Sequence, residues 1–168
     1  MAEVEIKSKF TGRRGSRAKT NQSAPPEFDH KMMAVRRVTR VVKGGRRFSF
    51  SVLVAAGDRR GRIGLGLGKA GDISEAIEKG LRQAKKHMIS LPLTRDQSIP
   101  HEIEAKFGSS RVVIRPAPKR GIVAGSVVRV LLTLAGVNGV SAKIISPSKN
   151  KINNARAVMK AFHAITPA

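Results

Sequence analysis

From Met33 to Met88 the apolar positions change rhythm in a way that predicts three antiparallel strands closed by one helix. Phe48, Phe50, Val52, Val54 and Ala56 alternate with Ser49, Ser51, Leu53 and Ala55. That period of two describes a strand whose aromatic and branched residues share one core-facing side. Ahead of it, Glu27 to Val42 is strand-like, with Met33, Val35, Val38, Val41 and Val42 interrupted by Arg36, Arg37 and Arg40. Its apolar positions do not keep one parity, which predicts a bulge or a change of exposed face. In the third strand Ile63, Leu65 and Leu67 alternate with Gly64, Gly66 and Gly68. The bare glycine side invites close approach, either by a packed neighbour or by a polyanion. Asp72-Ile73-Ser74-Glu75 has capping-box spacing, and Ile73, Ala76, Ile77, Gly80, Leu81, Ala84 and Met88 then follow the spacing of one helix face. Glu75 with Lys79, and Lys85, Lys86 and His87 at the end, belong to its solvated side.

A second unit follows a break at Leu91 to Gln97, which reads as a linker. Ile99, His101, Ile103, Ala105 and Phe107 alternate with polar residues, and Gly108-Ser109-Ser110 turns the chain into Val112 to Ile114, making a hairpin. Pro116 to Gly121 is a stiff basic loop. Gly125-Ser126 opens an apolar helix, Val127 to Ala135, closed by Gly136. With Arg129 and Thr133 as its only polar members, that helix reads as a core element rather than a site. Val140, Ala142 and Ile144 give another strand, and Ile152, Ala155, Met159 and Phe162 mark the last helix. The unit's expected order is β-β-α-β-α. The fold class is therefore α+β, with units at 27–90 and 98–168 joined by 91–97. Residues 1–26 show no apolar periodicity and read as a disordered basic arm.

Charge changes this picture from a pair of small folds into a binding protein. Lys and Arg number 33 against 11 acids, a net charge of +22 and a pI near 11.7. Repulsion on that scale opposes compaction unless a polyanion neutralises it, which makes nucleic acid the expected partner and an anionic membrane surface the weaker option. The cations collect at particular places. Arg36, Arg37 and Arg40 lie on the first strand, and Lys43-Gly44-Gly45-Arg46-Arg47 forms a tight projecting turn. Arg59, Arg60 and Arg62 form a second turn of the same kind, and Lys69 stands at a helix start where it can hold one phosphate. Lys119 and Arg120 sit in the proline-flanked loop, and Lys149 and Lys151 precede the last helix. In the arm, Lys7, Lys9, Arg13, Arg14, Arg17 and Lys19 are placed to order along RNA phosphates. Trp and Tyr are absent, so recognition of duplex backbone and shape is expected over base-by-base stacking.

Other chemistry finds no foothold in the sequence. There is no cysteine, and His30, His87, His101 and His163 lack metal-ligand spacing. Gly66-Leu67-Gly68-Lys69-Ala70-Gly71 is a literal G-x-G-x-x-G, but it follows a hairpin strand and has no acidic residue at a second strand end. The phosphate-loop pattern fails as well, because Ala70 follows Gly68-Lys69. No cofactor, metal, small-molecule substrate or enzymatic activity is expected. Nor is a spanning segment or an export signal, since no apolar run of about 18 residues occurs and the first residues form no basic-then-apolar leader.

Two stretches carry a family resemblance. EFDHKMMAVRRVTRVVKGGRRFSFSVLVAAGDRRGRIGLGLGKAGDISEAIEKG resembles the amino-terminal signature region of bacterial ribosomal protein S5, and FGSSRVVIRPAPKRGIVAGSVVRVLLTLAGV resembles its carboxy-terminal domain. Together they place roughly Phe28 to Ile165 in that family. The resemblance implies an α+β pair of domains: a three-stranded antiparallel sheet with one helix, like a double-stranded-RNA-binding fold without its first helix, and a domain with a left-handed βαβ crossover. It implies a structural place in the small ribosomal subunit, contact with small-subunit rRNA where head meets body, and ribosomal proteins S4 and S8 as neighbours. Arg111, Arg115, Asn154, Arg156 and Lys160 are the expected protein-contact residues. The resemblance also implies a part in decoding accuracy, a position near the mRNA entry path, and a cytoplasmic or organellar ribosome as location. Lys43-Gly44-Gly45-Arg46 corresponds to the loop where spectinomycin-resistance changes arise. Pro118-Lys119-Arg120 departs from the small, glycine-containing stretch of many members. The competing class is a free-standing duplex-RNA-binding protein or RNA chaperone.

Overall fold

A computed structural model describes residues 28–166; the basic arm lies outside them. Eight strands and three helices follow in the order β1 (Asp29–Val42), β2 (Gly45–Gly57), β3 (Arg62–Ala70), α1 (Ile73–Lys86), β4 (Met88–Ser90), β5 (Ile103–Phe107), β6 (Ser110–Pro116), β7 (Ile122–Val123), α2 (Ser126–Ala135), β8 (Val140–Ile144) and α3 (Lys151–His163). The first sheet is antiparallel in the order β1-β2-β3-β4, and the second is mixed in the order β5-β6-β8-β7.

Two strands go beyond the sequence reading. The first sheet has four strands rather than three, because α1 ends at Lys86 and Met88 pairs with Gly64 instead of continuing the helical stripe. In the second sheet Ile122–Val123 pairs parallel to Val140–Ser141, which makes β7-α2-β8 a βαβ unit and the order β-β-β-α-β-α. Both strands are short, two or three residues, and carry too little pattern to announce themselves. The bulge expected in the first strand falls between Met32 and Ala34.

The bare face of β3 is filled by protein. A methyl group built on Gly64, Gly66 or Gly68 would stand 2.2, 2.0 or 1.8 Å from the carbonyl oxygen of Ala84, Gly80 or Ala76. Helix α1 lies with its small-residue stripe against the backbone of β3, too close for any side chain between them. Asp72 occupies the N-cap position of α1 but makes no side-chain cap bond, whereas Lys79 Nζ pairs with Glu75 Oε1 at 2.5 Å as the spacing predicts.

Strand β2 does not have a single core-facing side. Val52 and Val54 pack with Ala76 under α1, while Leu53 and Ala55 join the larger cluster of the second unit around Leu131, Leu132 and Phe162. Phe48, at the far end of β2, is 47% exposed. Alternation could not reveal this, since a strand sandwiched between two layers reads as continuously apolar only where both layers reach it. Leu91 is buried and its N–H donates to Gly61 O at 2.8 Å, and Asn138 N–H donates to Gln97 O at 2.7 Å. The segment between the sheets is thereby held to both.

Candidate nucleic-acid interface

The β1–β2 ladder runs on to the pair Val42–Gly45, leaving Lys43-Gly44 as a two-residue turn with Gly45 at φ 129°. From Arg36 to Phe48 the hairpin is exposed apart from the half-buried Val42 at its end, so its distal half stands clear of the core. Cross-strand register sorts its side chains, because directly paired residues share a face. Arg40 is opposite Arg47, and Arg36 is in one row with Ser51 and Lys69 across three strands, all on the face that carries Leu53. Arg37, opposite Phe50, and Arg46, opposite Val41, are on the α1 face. Strand parity therefore splits the hairpin's cations between two faces of one ribbon. On the α1 face the Arg37 guanidinium lies 4.3 Å from the centroid of the Phe48 ring, fixing both side chains.

The second unit adds to the Arg36 face. Arg36 Nη2 donates to Asn150 Oδ1 at 3.3 Å, and Lys151 Nζ donates to Met33 O at 3.4 Å. Asn150 is also the N-cap of α3, accepting from Ile152 N–H at 3.2 Å. These contacts bring Lys149 and Lys151 beside β1. Asn150 was missed in the sequence; the signal available was an Asn just ahead of a helical stripe.

No carboxylate among the described residues pairs with Arg36, Arg37, Arg40, Lys43, Arg46, Arg47 or Lys69. Directly opposed like charges, as at Arg40 and Arg47, destabilise a ladder by a few tenths of a kcal/mol to about 1 kcal/mol. This end of the molecule carries its cations at a cost to its own fold.

The second basic turn is not a projecting tip. Arg59 N–H donates to Leu134 O at 3.0 Å and Gly61 N–H to Ala135 O at 2.9 Å, so the turn is docked on the C-terminal end of α2. Those orphan carbonyls of the helix end find their donors there. Asp58 organises the turn from within, accepting from Arg60 N–H at 2.8 Å, Arg62 N–H at 3.0 Å and Arg62 Nε at 2.7 Å. Burial pushes the Asp58 carboxyl up, but the Arg62 side chain and these backbone donors outweigh it and hold the group below its ordinary range. Arg59 pairs with Asp29 at 2.6 Å. Of the three arginines predicted here, only Arg60 has no carboxylate partner of its own among the described residues.

The remaining candidates lie elsewhere. Lys119, at φ 70°, lines a recess with Asp96, Ser98 and Asn138, beside Arg120. Arg111 pairs with Glu104, and Arg115 with Glu102 at 2.7 Å, on the exposed parity of the second sheet. The Arg111 hydrogen bond draws the Glu104 carboxyl down and its own guanidinium up. Arg156 lies 5.5 Å from the Phe107 ring centroid, and Lys160 is exposed. Asn154 corrects the expectation placed on it. It is only 4% exposed, and its Nδ2 donates to Ser148 O at 3.1 Å, so it braces the loop before α3 instead of meeting a neighbour. Arm residues Lys7, Lys9, Arg13, Arg14, Arg17 and Lys19 lie outside the described residues. Among the described residues no group of His, Asp and Glu is placed to hold a metal ion, and no helix is long and apolar enough to cross a membrane.

Residues 28–92 match the family described as ribosomal protein S5, N-terminal domain, and residues 105–167 match ribosomal protein S5, C-terminal domain. The small ribosomal subunit protein uS5 of Synechococcus elongatus is 47% identical over 140 residues, covering 83% of this chain and 77% of the relative. That of Nostoc punctiforme is 42% identical over 153 residues, covering 90% and 87%. The small ribosomal subunit protein uS5c of Cyanophora paradoxa is 44% identical over 138 residues, covering 82% and 81%. With both halves matched and identities this high over most of its length, the chain belongs to the ribosomal protein S5 family.

Proposed function

We propose that this chain is a structural, non-enzymatic constituent of the small ribosomal subunit that binds the backbone of small-subunit rRNA through the β1–β2 hairpin and the cations gathered beside it. The observation that carries the proposal is the hairpin itself: a ribbon, clear of the core, whose arginines and lysines have no carboxylate to answer them among the described residues. Phosphates supply what the protein lacks, and the Arg40–Arg47 repulsion is relieved when they do. Family membership supports the finer reading: a place at the junction of head and body, ribosomal proteins S4 and S8 as neighbours, the mRNA entry path nearby, and an influence on decoding accuracy. In this reading the units 27–90 and 98–168 each present their own surface, the hairpin to rRNA and the sheet bearing Arg111 and Arg115 to a protein, and Lys43-Gly44-Gly45-Arg46 is the segment whose changes alter the response to spectinomycin. The ribosome that holds it is cytoplasmic or organellar.

The test is an Arg46→Ala/Arg47→Ala variant titrated with small-subunit rRNA at several salt concentrations. Losing two phosphate contacts flattens the slope of log K against log salt by about 1.4 to 1.8. An unchanged slope and affinity would overturn the assignment. Sedimentation through high salt separates the competing class: the wild-type protein travels with small subunits, whereas a free-standing RNA-binding protein is released.

A further inference from the structure

The seam where β1 meets the second unit does not stop at Arg36. Toward the start of β1 a cleft of about 350 Å3 opens between Lys31, Arg59 and the exposed side of α2, where Arg129, Val130 and Thr133 line it. Register puts Lys31 opposite Ala55, Arg36 opposite Ser51 and Arg40 opposite Arg47, so these three of the four cations of β1 lie on one face of the sheet, Arg37 being on the other. A smaller recess lined by Met32, Met33, Val130 and Lys151 adjoins the cleft, and the two share Val130. Lys31, Lys151, Arg36 and Arg40 thus mark one course along the strand.

The cleft is charged out of balance. It holds three cations, Lys31, Arg59 and Arg129, against the single carboxylate of Asp29, which Arg59 already engages at 2.6 Å. Arg129 is the one charged residue of α2, on a helix whose other polar members are Ser126 and Thr133. Among the described residues its guanidinium reaches only Ile122 O, at 3.4 Å, leaving most of its donors free for a ligand. Like charges brought together around a cavity of this size repel one another unless an anion sits among them. A space of a few hundred Å3 has room for a nucleotide unit.

We propose that the RNA backbone continues from the hairpin along this seam and ends in the cleft, where Lys31 and Arg129 hold its phosphates. The proposal rests on the RNA-binding reading above and extends it to residues outside the hairpin. Helix α2 is then more than core: its apolar side closes the fold and its Arg129 side meets RNA.

The full chain carrying Lys31→Gln/Arg129→Gln is titrated with small-subunit rRNA across a salt series, beside wild type and Arg46→Ala/Arg47→Ala. Removing two phosphate contacts reduces the salt slope by about 1.4 to 1.8 with the melting temperature unchanged. Arg129→Lys, which keeps the charge, retains the slope. Thr133→Glu, which adds a negative charge and removes no cation, weakens binding as well. If both cleft variants bind RNA as wild type does while the hairpin variant is impaired, the cleft proposal is overturned and the RNA-binding reading stands. If the hairpin variant is also unimpaired, both fall. Unaltered RNA binding combined with loss of co-sedimentation with small subunits would assign the cleft to a protein neighbour, and that too overturns it.

Discussion

Two turns of this chain are written in nearly the same letters and end in opposite situations. Lys43-Gly44-Gly45-Arg46-Arg47 and Gly57-Asp58-Arg59-Arg60-Gly61-Arg62 both join antiparallel strands with glycine and arginine. Around the first there is open space: a methyl group on Gly44 would touch nothing within 4 Å. Around the second there is none, since a methyl group on Gly57 would stand 2.2 Å from Leu134 O. One turn is offered to a partner outside; the other has found its partner inside, at the end of α2. The difference lies in Asp58, which gives the second turn's donors an internal acceptor. The first turn has no acid at all. A basic turn is a binding tip only where the fold leaves its charges and its backbone unanswered.

The sharpest way to break this comparison is to force the second turn off its dock. Gly57→Ala or Gly136→Ala, whose added methyl would stand 2.1 Å from Arg59 O at a φ of 75°, is expected to cost about 3 kcal/mol. Thermal unfolding would register it as a fall of roughly 6–12 °C in melting temperature. A melting curve like that of wild type would mean the docking contributes nothing.

Next in size is Asp58→Asn, which leaves the arginine donors with a neutral acceptor and costs about 2 kcal/mol near neutral pH. The sign of its pH dependence follows from the lowered carboxyl. A carboxylate held below its unfolded value contributes stability that is fully present above about pH 4 and is lost as pH falls through the folded value. Wild type and variant therefore converge in acid, and urea midpoints measured between neutrality and about pH 3 check it. A constant gap across that range would remove the charge from the explanation.

At the exposed turn the effects on stability shrink and one changes sign. Arg47→Ser relieves the repulsion with Arg40 and is expected to stabilise the free protein by a few tenths of a kcal/mol, while weakening its hold on RNA. Chemical unfolding beside an RNA titration gives both readings, and a destabilised variant would show that Arg47 supports the fold. Smallest of all is Gly44→Ala, expected to stay within about 0.5 kcal/mol of wild type because the site is open and its φ is not positive.

Much of the fold was legible because long elements carry periodic patterns. The spacing in α1 and α3 reflects burial of one face, the alternation of β2 marked a strand although both of its faces are buried, and the glycine side of β3 left room for a close neighbour that proved to be α1. The short β4 and β7 were not legible, for two or three residues cannot establish a period. The candidate site was legible as a list of cations but not as an arrangement. Strand register put Arg37 and Arg46 on one face and Arg40 and Arg47 on the other. Asn154 looked like a surface residue by its polarity, and the loop before α3 folded over it.

The amino-acid sequence by itself determined that this is a basic α+β protein of the ribosomal protein S5 family with an excess of positive charge that calls for a polyanion. Those properties depend on composition and on contacts between residues near one another in the chain. Only the tertiary structure decided which cations are free and which are neutralised. Arg59 meets Asp29, and the Gly57–Arg62 turn meets α2, across separations of about 30 and 75 positions, and no local pattern records a contact whose two halves are brought together only by packing.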